Sequence, residues 1–233
     1  MVKAVLFDLD DTLYLEWEFI RGGFLAVAAE LEKRGVGSAH EIYELFEMIH
    51  FNEGREYVFD KAASQLGFPC AWIPQMVEIY RMHNPTIEVL PDVLLAFPYL
   101  RERYLLGCVT DGIAEVQKRK LFALGLSPLF DSIIVTDLLG RKHWKPDPLP
   151  FMVCCHELGI TSDEAIYVGD NPQRDIVGAH NANMIAVRIK RPQAWFYDYE
   201  PQCSEEEPDF VAKDLTELIH LLRNLGSKVY NLW

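Results

Sequence analysis

The sequence predicts an α/β fold: a parallel sheet core, interrupted after its first strand by a helical insertion. Two observations point to it. Short apolar runs alternate with helical stretches over residues 91–189. Between the first apolar run and that alternation lies a long segment patterned only at helical spacing.

The elements follow in order. Val2–Leu9 is a short apolar run rich in branched and aromatic residues, which reads as a buried strand, and Asp10-Asp11-Thr12 breaks it. From Trp17 to His83 the apolar residues recur at helical spacing: Phe24, Val27, Ala28 and Leu31, then Ile42, Leu45, Phe46 and Ile49, then Ile73, Met76, Val77 and Tyr80. Gly35, Gly37, Asn52, Gly54, Gly67 and Pro69 punctuate them, giving four helices and no strand. Helices at 92–103, 114–124, 149–158 and 175–181 then lead into strands at 104–110, 132–136, 165–168 and 184–189. This alternation builds a parallel sheet covered by helices on both faces. Residues 190–208 are polar, acidic and irregular; 209–212 adds an edge strand and 215–222 a closing helix. The expected division is a core of residues 1–14 and 89–233, with a helical insertion at 15–88.

Bulk properties bound the function. A chain of 233 residues, half of them hydrophobic, can bury a sizeable core. Its net charge of −13 repels phosphate backbones and anionic lipid, so neither nucleic acid nor membrane is expected as a partner. No apolar stretch approaches the roughly 18 residues that would span a bilayer. The start of the chain shows no leader pattern, and five cysteines without a C-x-x-C pair fit a reducing compartment. A cytoplasmic location is expected.

Ligands of open parallel sheets bind beyond the carboxyl ends of the strands. There the sequence places Asp8, Asp10 and Thr12, then Thr110, Asp111 and Gly112, then Gly169, Asp170, Asn171 and Asp175, with Lys145 in the loop before the helix feeding the fourth strand. A strand-end aspartate taken alone is often a helix cap or a turn former; four such sites on one edge point to chemistry. Asp8 and Asp10 share a face if the strand runs through both, and with Asp170 they make three carboxylates that repel unless a cation joins them. An oxygen-only ligand set favours magnesium over zinc. Lys145 and the metal can neutralise a phosphoryl group, with Thr110 and the amides of Asp111 and Gly112 bonding its oxygens.

Asp8-Leu-Asp10-Asp-Thr12 resembles the D-x-D-x-T signature of the haloacid dehalogenase-like hydrolases. Thr110-Asp111-Gly112 is similar to their second motif, Lys145-Pro146-Asp147-Pro148 to the lysine-bearing third, and Gly169-Asp170-Asn-Pro-Gln-Arg-Asp175 to the fourth, G-D-x-x-x-x-D. The order is right, the resemblance spans residues 4–222, and the insertion is similar to the small α-helical cap of the phosphoglycolate phosphatase-like branch. The resemblance implies a Rossmann-like core with an inserted α-helical cap subdomain. It also implies a magnesium-dependent phosphatase acting on a small phosphorylated metabolite through an aspartyl-phosphate. Asp8 is then the nucleophile and Asp10 the acid and base, oriented by Thr12. Thr110 and Lys145 hold the phosphoryl group. Asp8, Asp10 through its backbone carbonyl, and Asp170 bind magnesium, with Asp175 and Asn171 supporting them directly or through water. The acid at Asp10 favours a phosphate ester over a carbon–halogen bond. A phosphomutase and a non-catalytic regulatory protein keeping the fold are the alternatives. Trp17, Arg21, Arg55 and Tyr57 of the insertion and His143 and Trp144 beside Lys145 are weaker candidates for substrate contact.

Overall fold

The computed structural model describes residues 1–229, the side chains only as far as 225. These residues form a six-stranded parallel sheet. Its strands are β1 (Ala4–Phe7), β2 (Leu105–Thr110), β3 (Ser132–Val135), β4 (Ala165–Gly169), β5 (Ile185–Ile189) and β6 (Phe210–Ala212), in the order β3-β2-β1-β4-β5-β6. The strand order reverses between β1 and β4, the kind of switch point where α/β sheets bind ligands. β1 and β4 are buried along their whole length, which is why they read as continuous apolar runs rather than alternating ones. β1 stops at Phe7, two residues short of the expected Leu9.

The chain divides into two compact units: Met1–Glu16 with the chain from Ile87 onward, and Trp17–Thr86. In the first, Phe151 and Tyr167 pack edge to face, with ring centroids 4.7 Å apart, in a core shared with Leu6, Val109, Ile176 and Cys154. Helices α5 (Pro91–Arg101), α6 (Ala114–Ala123), α7 (Leu149–Glu157), α8 (Val177–Asn181) and α9 (Leu215–Val229) belong to this unit.

The second unit is all helical: most of α1 (Glu16–Lys33), then α2 (Ala39–Glu53), α3 (Val58–Leu66) and α4 (Ile73–Met82). Phe24, Phe46 and Phe59 form its centre, with ring centroids 5.2 to 6.1 Å apart. Ser38 caps α2: its side chain accepts the Glu41 amide at 3.3 Å and donates to the Glu41 carboxylate at 2.7 Å. No helix among the described residues is long and apolar enough to cross a membrane.

Candidate active site

The central strands end side by side. Phe7 is in register with Cys108 of β2 and Val168 of β4, so Asp8, Thr110 and Asp170 arrive at one edge of the sheet. The Asp8 amide donates to the Val168 carbonyl at 2.9 Å, which carries the strand pairing one residue further and fixes the Asp8 carboxylate at that edge.

Lys145 enters from the loop before α7. Its Nζ donates to Asp8 Oδ1 at 2.6 Å and to Asp175 Oδ1 at 2.7 Å. The Tyr167 hydroxyl accepts from it at 3.2 Å and donates to the Val109 carbonyl at 2.9 Å. The ammonium is thus held on three sides in a buried pocket. Burial disfavours its charge, but the Asp175 and Asp8 carboxylates outweigh burial and hold Lys145 protonated well above the usual lysine range.

Asp8, Asp170 and Asp175 are all buried, and each offers a carboxylate oxygen within 4.8 Å of the others. Among the described residues, three carboxylates therefore face one ammonium. Burial, then the Asp175, Asp11 and Asp8 charges, push the Asp170 carboxyl well above its ordinary range. Burial does the same to Asp8 against the pull of Lys145. A buried, under-neutralised, oxygen-only donor set of this kind suits a hard divalent cation.

Asp175 reaches the site through local turn chemistry. The Asn171 side chain accepts the amides of Gln173 at 3.0 Å and Arg174 at 3.2 Å, opening a single wide turn over Pro172–Ile176. Asp175 Oδ2 in turn accepts the Asn171 amide at 3.0 Å. Gly169 makes room: a Cβ there would overlap the Asp175 carboxylate.

Asp10 does not join the other carboxylates, contrary to the convergence of Asp8, Asp10 and Asp170 that the sequence suggests. The alternation rule needs a regular strand, and β1 has ended at Phe7. The Asp10 side chain turns instead to α6 and Tyr14. Lys120 Nζ donates to its Oδ1 at 2.7 Å, Gln117 Nε2 to its Oδ2 at 3.0 Å, and the Tyr14 hydroxyl donates to Oδ1 as well. Burial alone would raise this carboxyl; the charge and hydrogen bond of Lys120, with the bonds from Tyr14 and Gln117, reverse that and hold it below its ordinary range. The Thr12 hydroxyl makes no hydrogen bond to Asp10 either. It is buried without a hydrogen-bond partner among the described residues, and the Thr12 carbonyl accepts Arg191 Nε at 3.1 Å and a second guanidinium nitrogen at 3.0 Å.

The Thr110 hydroxyl accepts Gln117 Nε2 at 2.6 Å. The Asp111 carboxylate braces the lysine loop, accepting the Thr136 hydroxyl at 2.7 Å and the Lys145 amide at 3.1 Å. Gly112 follows with φ of 132°, a value that favours glycine. Tyr14, Gln117, Lys120 and Tyr167 are not marked by any sequence motif; polar residues inside the apolar stripe of α6 are the signal that could have found two of them.

The haloacid dehalogenase-like hydrolase family model matches residues 5–189. The chain belongs to this family. A glyceraldehyde 3-phosphate phosphatase of Methanopyrus kandleri is 34% identical over 97% of this chain and 99% of its own. A phosphoserine phosphatase of Thermus thermophilus is 30% identical over 70% of this chain and 63% of its own. Among solved structures, a phosphatase of the same family from Thermococcus onnurineus is 28% identical with a TM-score of 0.64, covering 95% of this chain and 98% of its own. The chain is thus a hydrolase with the family's α/β core.

Proposed function

We propose that this hydrolase is a magnesium-dependent phosphatase that cleaves a small phosphate monoester through a phosphorylated Asp8. The observation that carries the reading is the Asp8 carboxylate fixed at the sheet edge between the Lys145 ammonium, at 2.6 Å, and the Asp170 and Asp175 carboxylates. Asp8, Asp170 and Asp175 would hold the magnesium ion, which when bound supplies positive charge against the phosphoryl oxygens.

An Asp8 oxygen attacks phosphorus, the ester P–O bond breaks, and the leaving alkoxide takes a proton from Asp10. Water then attacks the phosphoryl group, gives a proton back to Asp10 and releases phosphate, restoring the Asp8 carboxylate. Lys120 and its neighbours favour ionised Asp10, the form that the second step needs. The proton for the first step enters with the ester, whose monoanion is populated below about pH 6. Lys145 pins Asp8 and neutralises the phosphoryl oxygens, while Thr110 donates to them. The helical unit, inserted between β1 and α5, is the candidate for selecting the leaving group.

The relatives named for glyceraldehyde 3-phosphate and phosphoserine suggest phosphorylated small metabolites as the substrate class. The test is phosphate release from a panel of such esters, with magnesium and with excess chelator. Turnover that needs magnesium supports the reading; full turnover in chelator, or rescue by zinc alone, contradicts it.

A further inference from the structure

Helix α6 buries Val116, Gln117, Lys120 and Leu121. Two of these four positions are polar where apolar residues would pack at less cost. Lys120 is 3% exposed and Gln117 1%, so both have given up their hydration. Both donate to the Asp10 carboxylate: Lys120 Nζ lies 2.7 Å from Asp10 Oδ1, and Gln117 Nε2 lies 3.0 Å from Oδ2. The other proton of the Gln117 amide reaches the Thr110 hydroxyl at 2.6 Å. Gly112 leaves room for that amide. A Cβ at Gly112 would sit 3.0 Å from the Gln117 amide carbon and oxygen, closer than ordinary contact.

We infer that Lys120 and Gln117 are positioning residues that fix the plane of the Asp10 carboxylate and tie it to Thr110, so that proton transfer and phosphoryl binding share one scaffold. This rests on the role of Asp10 proposed above. Both residues act through Asp10. They set where Asp10 stands when the leaving oxygen needs its proton, a transfer that demands hydrogen-bond distance.

The test uses the full chain with magnesium and a series of phosphate esters, from p-nitrophenyl through phenyl to alkyl. Along it the leaving oxygen depends increasingly on a donated proton. kcat/KM is measured for Lys120→Met, Lys120→Arg, Gln117→Leu and Asp10→Asn. General acid–base catalysis contributes about 10²–10⁴-fold, so Lys120→Met and Gln117→Leu should lose at least about tenfold more on the alkyl ester than on the p-nitrophenyl ester. Lys120→Arg should recover most of the alkyl-ester rate. The ratio between esters within one variant does not depend on how much of that variant is folded. A uniform loss across the series, or no loss, overturns the inference. If Asp10→Asn is steep and Lys120→Met uniform, the positioning role falls and the role of Asp10 stands. If Asp10→Asn is itself uniform, the proposed role of Asp10 falls and this inference with it.

Discussion

Replacing Lys145 by methionine keeps the length of the side chain and removes the one ammonium, among the described residues, that faces Asp8, Asp170 and Asp175. Its Nζ stands 2.6 Å from Asp8 and 2.7 Å from Asp175, and all these side chains are buried. Removing one member of a buried ion pair costs about 3–5 kcal/mol, because the remaining charge is stranded. For a chain of this size each kcal/mol lowers Tm by about 2–4 °C, so the melt should fall by about 6–20 °C. The loss should depend on pH in a definite direction. Burial already raises the Asp8 and Asp170 carboxyls above their unfolded values, and losing Lys145 raises them further. A carboxyl raised by folding favours the fold when protonated, so the deficit is greatest at neutral pH and shrinks as pH falls toward the ordinary carboxylate range near about 4. Excess magnesium should stabilise the variant more than the parent, since the ion meets three uncompensated carboxylates. The assay is thermal unfolding followed by circular dichroism at several pH values, with and without magnesium. A loss under about 3 °C, a deficit that grows in acid, or indifference to magnesium would refute this account of the site's electrostatics.

Three further outcomes are expected. Burial, with the nearby Arg55 charge, lowers the His50 pKa to about 4, so the helical unit should lose stability as pH falls from about 6.5 through that value; His50→Phe should flatten this part of the Tm-against-pH curve. Gly169→Ala places a Cβ against the Asp175 carboxylate, and magnesium affinity measured by calorimetry should fall about tenfold or more, as it does when support to a metal ligand is lost. Arg55→Ala should reorder kcat/KM among phosphate esters while leaving the magnesium requirement intact; an equal loss on every ester would point to general damage instead.

Much of the fold was legible because burial leaves a plain mark on sequence. Ala4–Phe7 and Ala165–Gly169 are buried on both faces, so their strands appear as unbroken apolar runs. The helical unit showed itself through the spacing of Phe24, Val27, Ala28 and Leu31, which all face its core. The sequence puts Asp8, Lys145, Asp170 and Asp175 in loops and turns at one edge of the sheet, and the structure brings these four side chains together. The orientation of Asp10 was not readable. It depends on where β1 stops and on partners more than 100 residues away in sequence, Gln117 and Lys120. In Glu115, Lys118 and Arg119 the helix also carries exposed or half-buried charge, and Lys120 reads as one more solvated lysine unless its place in the stripe with Val116 and Leu121 is noticed. Tyr167 was hidden for the opposite reason: an aromatic in a buried strand passes for core, although its hydroxyl serves Lys145.

In the proposed reaction Asp8 takes up the phosphoryl group, and the direct measurement is to catch it there. Enzyme and magnesium are mixed with excess phosphate ester, quenched in acid within the first turnovers, digested and analysed by mass spectrometry. One phosphoryl group is expected on the peptide that contains Asp8, absent from Asp8→Asn and discharged when the substrate is exhausted. A phosphoryl group on any other residue, or brisk turnover by Asp8→Asn, would contradict it.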